Sequence, residues 1–202
     1  MNKKYDITII GGLGHVGFPL GLLFASKGLK VCLNDINDQV AKIISNGDLP
    51  YVEYGAEKLL KKVLINGNLS ISLEVESISN AKYVIIAIGT PVDEYMNPKT
   101  RNFLKFVEEV KHYLSPSQII IVRSSVFPRA CQQIINILGE KENWHLAYCP
   151  ERIAQGYALK ELEILPQVVA GFTDHAIEES AKLFRKITKK IIKATMGQAE
   201  LV

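Results

Sequence analysis

The chain has little cysteine. Cys32, Cys131 and Cys149 are its three cysteines, none in a C-x-x-C pair. That excludes a disulfide framework and a cysteine zinc site, and points to a reducing, cytoplasmic setting. Charge of one sign is also scarce. The formal net charge of +3 comes without an Arg-rich stretch or basic residues interleaved with aromatics, so no nucleic-acid partner is expected. Lys189-Lys190 with Lys193 reads as a solvated face beside a strand. The four histidines, His15, His112, His145 and His175, are scattered without ligand spacing, and no metal is expected. An uninterrupted apolar run is missing too. Asn2-Lys3-Lys4 and the stretch from Ile7 to Ala25 imitate a leader or a membrane span, but five glycines and Pro19 break it, so no membrane partner is expected. There is no low-complexity tract or short repeat in the 202 residues.

What is present is alternation. Strands are expected at Asp6–Ile10, Lys30–Asn34, Leu69–Ser72, Tyr83–Ile88, Gln118–Arg123, Trp144–Tyr148, Gln167–Gly171 and Ile191–Ala194. Several are apolar throughout, such as Ile119-Ile120-Ile121-Val122, which suits strands covered by helices on both faces. Helices are expected between them, at Val16–Ser26, Asp38–Ser45, Ala56–Asn66, Arg101–Leu114, Arg129–Leu138 and Asp174–Ile187. Asp38 is expected to cap the second and Gly47 to stop it; Pro128 suits the start of the fifth and Gly139 its end. Strict alternation with right-handed crossovers predicts an α/β, Rossmann-like fold, a doubly wound, mainly parallel sheet flanked by helices. Residues 1–195 are expected to form this domain, and 196–202 to begin a further helix that is cut short; a frayed natural terminus is the alternative.

The first strand runs into Gly12-Leu13-Gly14-His15-Val16-Gly17, and Asp35 ends the second strand. Strand, G-x-G-x-x-G, helix, strand and acid make up the dinucleotide-binding fingerprint. Gly12 is expected to turn the chain off the strand, Gly14 to leave room for a pyrophosphate, and Gly17 to let the helix pack close to the sheet. The helix, expected to begin near Gly14, would aim free N–H groups at the phosphates. Leu13, His15 and Val16 would flank the cofactor. Asp35 would accept hydrogen bonds from the adenosine ribose and repel a 2′-phosphate. No Arg follows in Ile36-Asn37-Asp38-Gln39, so NAD is favoured over NADP.

Ligands of open parallel sheets sit beyond the carboxyl ends of the strands. Gly89-Thr90-Pro91 offers close backbone approach and a hydroxyl, although by itself it is an ordinary turn. Ser124-Ser125 could hold a carboxamide or a water, or cap the next helix. In Cys149-Pro150-Glu151-Arg152, Glu151 could act as a base or hold a water and Arg152 could bind an anionic or carbonyl-bearing substrate; a salt-bridged loop is the plainer reading. Cys149 would be a nucleophile only as a thiolate, and no histidine lies near it in sequence. Cys131 lies near a helix start that could lower its pKa.

As an ordered set, these motifs resemble the amino-terminal domain of nucleotide-sugar (UDP-glucose/GDP-mannose) 6-dehydrogenases. The likeness rests on the glycine loop, Asp35-Ile36-Asn37 with Val40, Gly47 through Pro50 to Glu53, Gly89-Thr90-Pro91, Ser124-Ser125-Val126 with Pro128, Pro150-Glu151-Arg152 and Ala199-Glu200-Leu201, across essentially the whole chain. It implies NAD as cofactor and a UDP-sugar partner whose C6 alcohol is oxidised to a carboxylate with two NAD, through a cysteine thiohemiacetal and a thioester. Glu151 would assist thioester hydrolysis through water, and Ser125, usually Thr, would orient that water and the nicotinamide. Arg152 stands where the glucose and GDP-mannose branches tend to carry Phe, which points to the UDP-N-acetylhexosamine branch. Arg129 stands where Gly commonly follows Pro, Gln155 where Glu often steadies a catalytic Lys, and Gln39 where some members carry Lys. The family's Lys, nucleophilic Cys, helical dimerisation domain and third domain lie beyond Val202. The resemblance therefore implies a cofactor half without turnover of its own, and a homodimer only together with the helical domain. A β-hydroxyacid dehydrogenase cofactor domain and a stand-alone NAD-sensing module are the alternatives.

Overall fold

Period-two burial in strands that are apolar on both faces divides the protein into two cores, one on each side of a single sheet. In the computed structural model, which describes residues 3–90, 94 and 100–202, that sheet has eight strands in the order β3-β2-β1-β4-β5-β6-β7-β8. They are β1 (Tyr5–Ile10), β2 (Val31–Asn34), β3 (Leu69–Ser72), β4 (Ala81–Ile86), β5 (Ile119–Val122), β6 (His145–Tyr148), β7 (Gln167–Gly171) and β8 (Ile191–Lys193). The first six are parallel and in register, so that Asn34, Ile10, Ile86, Val122 and Tyr148 form one row at their carboxyl ends. The chain reverses between β1 and β4, which is the crevice where such sheets bind ligands.

Ile7, Ile9, Tyr83, Ile85, Ile119 and Ile121 face one core. It is closed by α1 (Gly17–Ser26), α2 (Asp38–Ser45), α3 (Ala56–Ile65), α6 (Ala158–Ile164) and α7 (Asp174–Phe184). Ile10, Val84, Ile86, Ile120 and Val122 face the other, under α4 (Thr100–Val110) and α5 (Ala130–Leu138), with Ala199 of α8 (Met196–Ala199) at its edge. Helix α1 is apolar on every side and buried from Gly17 to Ala25, because it lies between the sheet and the outer helices α3 and α6. No helix among the described residues is long and apolar enough to cross a membrane.

Parallel pairing holds through β6 and is broken at one place, so the sheet is mainly parallel, as expected. β7 is antiparallel to β6, and β8 runs parallel to β7. Between β6 and β7 lies α6, a seven-residue helix that sequence reasoning missed between Gly156 and Pro166. Leu165-Pro166 leads out of α6 into β7 in an extended conformation, beyond the carboxyl end of β6. Local caps differ as well. Asn37, not Asp38, caps α2 by accepting a hydrogen bond from Val40 N at 3.1 Å. Helix α5 starts after Arg129, which takes a left-handed φ of 72°, rather than at Pro128. The last helix begins at a Thr195–Gln198 capping box.

Candidate functional site

At the end of β1 the turn itself falls on Gly11, whose φ is 75°. Gly12 serves a different purpose from the one its place in the motif suggested. A Cβ there would lie 2.8 Å from Leu33 Cα, so the residue lets β1 and β2 approach. At Gly17 a Cβ would collide with Gly11 O, which fits the first turn of α1 onto the loop, while Gly21 is the glycine that lets α1 sink onto the sheet at Leu33. The helix begins at Gly17 rather than near Gly14, although Phe18 N already donates to Gly14 O at 3.0 Å.

Gly14 is the exception. A Cβ there would meet only Gly11 O, at 3.5 Å, and otherwise open space above the strand ends. No packing among the described residues demands glycine at this position. The backbone N–H groups of His15 and Val16 find no acceptor among the described residues. An exposed glycine beside free N–H groups at the start of a ten-residue helix fits a dinucleotide pyrophosphate.

Asp35 is half-buried just past β2, and its carboxylate is partly committed. Oδ2 accepts from Leu13 N at 3.1 Å, and Oδ1 accepts from Ile36 N at 2.8 Å and Asn37 N at 3.2 Å. It thus ties the glycine loop to β2 while keeping acceptor capacity toward solvent. Tyr51 covers the loop from the far side. Its hydroxyl donates to Gly14 O at 2.9 Å, its ring lies against His15 with centroids 4.0 Å apart, and burial holds its pKa well above the ordinary phenol value.

The loops after β4 and β5 are laced together. Thr90 Oγ1 donates to Ser125 O at 2.7 Å, and Ser124 Oγ to Ile88 O at 2.7 Å. Ser124 is therefore buried and structural in its donor role, whereas the Ser125 hydroxyl is exposed and has no partner among the described residues. Gly89 is exposed with open space around it; Pro91 lies outside the described residues.

A cleft of about 450 Å³ joins these parts, lined by Gly14, His15, Thr90, Ser125, Glu151 and Gln155 among others, a size suited to a small-molecule ligand. Glu151 reaches it from the loop after β6. Its Oε1 accepts from Arg152 N at 2.6 Å and Ile153 N at 2.8 Å, and its Oε2 pairs with Arg123 Nη2. Sequence reasoning missed Arg123. Its side chain is 1% exposed at the end of β5, donates Nη1 to Cys149 O at 3.1 Å and Gln167 Oε1 at 2.8 Å, and lies over the Phe184 ring. The available signal was a cation closing a four-residue apolar strand, directly before the serine pair.

Arg152 is not brought to the cleft. Its guanidinium donates to Pro166 O on the other side of the loop. The loop is salt-bridged, as the plainer reading had it, but by Arg123 rather than Arg152. Neither cysteine is activated. Cys149 is fully buried and its thiol is pushed up to about 12 by burial, so it is no thiolate at neutral pH. Burial also raises Cys131, and the adjacent Glu200 carboxylate raises it further, which outweighs any lowering by the helix start. Glu200 itself caps α5, accepting from Arg129 N at 2.7 Å and Cys131 N at 2.9 Å. No group of three or more potential metal ligands occurs among the described residues.

Residues 5–191 match the profile of the UDP-glucose/GDP-mannose dehydrogenase family, NAD binding domain. A UDP-N-acetyl-D-mannosamine dehydrogenase of Methanococcus aeolicus is 30% identical over 199 residues, covering 96% of this chain and 44% of that protein. Among solved structures, the UDP-D-ManNAc dehydrogenase of Pyrococcus horikoshii superposes with a TM-score of 0.87 at 27% identity, over 96% of this chain and 48% of that one. A ternary complex of GDP-mannose dehydrogenase from Pseudomonas aeruginosa, 22% identical with a TM-score of 0.87, covering 97% of this chain and 48% of its own, shares the fold. The chain thus spans about half the length of the relatives it matches.

Proposed function

Since the chain belongs to the UDP-glucose/GDP-mannose dehydrogenase family, as its NAD-binding domain, we propose that it holds NAD for oxidation of the C6 alcohol of a UDP-sugar, a UDP-N-acetylhexosamine, to the uronate. One observation carries this reading. A single cleft contains both the glycine loop, open only at Gly14, and the Ser125 and Glu151 side chains. The sugar class is supported by the relatives named for UDP-N-acetyl-D-mannosamine.

Bound NAD supplies the hydride acceptor. The chain's own residues do the rest. The free N–H groups of His15 and Val16 and the α1 dipole receive the pyrophosphate. Asp35 keeps acceptor capacity for ribose hydroxyls and repels a 2′-phosphate. Thr90 and Ser124 hold the two loops together, so that the Ser125 hydroxyl stands ready to orient a carboxamide or a water. Glu151 is fixed by two backbone N–H groups and Arg123, which holds its carboxylate at the edge of the cleft, where it can accept from a water. A sugar-nucleotide contact from Arg152 requires its guanidinium to leave Pro166 O.

Isothermal titration with NAD and NADP tests the cofactor reading: NAD binds and NADP binds at least about tenfold more weakly, given a like charge at Asp35. Equal binding, or none, overturns it. The substrate class is read by following NAD reduction by the protein expressed from its own gene. Turnover of UDP-N-acetylmannosamine or UDP-N-acetylglucosamine above UDP-glucose supports the class, and the reverse order overturns it.

A further inference from the structure

The cleft is nearly free of net charge, and the reason is Arg123. Of its lining residues among those described, only Arg123 and Glu151 carry a formal charge, and they are paired with each other. Both side chains are more than nine-tenths buried, at 1% and 8% exposure. Neither can be neutralised cheaply by water, so removing one leaves the other charge in a weakly screened place. The pair is also incompletely satisfied, since Arg123 Nε has no hydrogen-bond partner among the described residues. Gln167 and Cys149 O hold the guanidinium on its other edge, so Arg123 is fixed rather than merely near Glu151.

This arrangement has a consequence for a ligand whose charge changes during the reaction. The oxidised nicotinamide ring is cationic and the reduced ring is neutral. With the pyrophosphate at Gly14 and the adenosine toward Asp35, the nicotinamide end is left the part of the cleft lined by Ser125 and Glu151. An unpaired Glu151 there would favour the cationic ring, and an unpaired Arg123 would oppose it.

We propose that Arg123, by cancelling the charge of Glu151, sets the preference of this site between oxidised and reduced dinucleotide. The inference rests on the NAD reading above. Arg123 acts through Glu151 and is a specificity-determining residue, not a catalytic one.

The test is the ratio of the NADH and NAD+ dissociation constants, measured at pH 8 by titration of the whole chain, with circular dichroism to establish folding. Glu151→Gln shifts the ratio toward NADH by about tenfold, and Arg123→Gln shifts it toward NAD+ by a similar factor. Arg123→Lys and the double variant Arg123→Gln/Glu151→Gln lie near the unsubstituted protein. A purely structural pair behaves otherwise: both single variants weaken both forms by the same factor, and that result overturns the proposal. If Arg123→Gln does not fold, Glu151→Gln decides alone, an unchanged or NAD+-directed ratio being the contrary result. Failure of the unsubstituted protein to bind either form refutes the NAD reading instead, so the two failures are distinct.

Discussion

The two ends of the cleft are made of different materials. The end at β1–α1–β2 is built from backbone, with glycines at positions fixed by close approach and one carboxylate, Asp35, tying loop to strand. The end at β5–β6 is built from buried side chains, with Arg123, Glu151 and Gln167 linked across three strands' ends. The first holds whatever carries two phosphates with little dependence on side-chain chemistry. The second places a charge pair where, on the proposed reading, the reaction changes charge. On the proposed reading, the first end supplies the phosphate affinity and the choice of NAD over NADP, and the second the preference between oxidised and reduced dinucleotide.

The comparison breaks most visibly at the charge pair. Arg123→Met leaves Glu151 unpaired and buried, and is expected to cost about 3–5 kcal/mol of folding stability. Adding Glu151→Gln should recover much of that loss in denaturant melts. An equal loss in the double variant would show that Arg123 matters for packing on Phe184 and not for charge. Gly17→Ala comes next. The added Cβ meets Gly11 O and must displace the turn, which is expected to cost about 1–3 kcal/mol in thermal melts. Asp35→Ala acts on binding, weakening NAD by about 1–3 kcal/mol through lost charged hydrogen bonds. Because Asp35 also accepts from Leu13 N, some loss of stability should accompany it. Unchanged affinity in a titration would remove Asp35 from the cofactor site.

The same contrast explains what could be read in the sequence. Backbone sites leave local patterns, since a strand, spaced glycines and an acid follow one another along the chain. That is why all eight strands and the glycine loop were legible, within a residue or two at most ends. Even there the glycines' duties differ from those the motif suggested, because the room at each is set by its neighbours in the fold: Ala87 at Gly11, Leu33 at Gly12 and Gly11 O at Gly17. Side-chain sites leave no such pattern. Arg123 and Gln167 are 44 positions apart, and nothing local announces that they share a guanidinium. The antiparallel β7 was hidden for a related reason. Ala158–Ile164 is shorter than the helices that periodicity can establish, and the pairing of β7 with β6 is a contact between segments about twenty residues apart that no local pattern marks.

Gly14 is where the cofactor reading is most exposed, since no packing among the described residues explains a glycine there. The decisive measurement is NAD titration of the unsubstituted protein beside Gly14→Ala, with a thermal melt of each. The unsubstituted protein should bind NAD, and Gly14→Ala should lose at least about tenfold in affinity while its stability stays within about 0.5 kcal/mol, as for a surface substitution. Equal NAD affinity in the two proteins, or a large loss of stability in Gly14→Ala, would contradict the claim that this glycine leaves room for a dinucleotide.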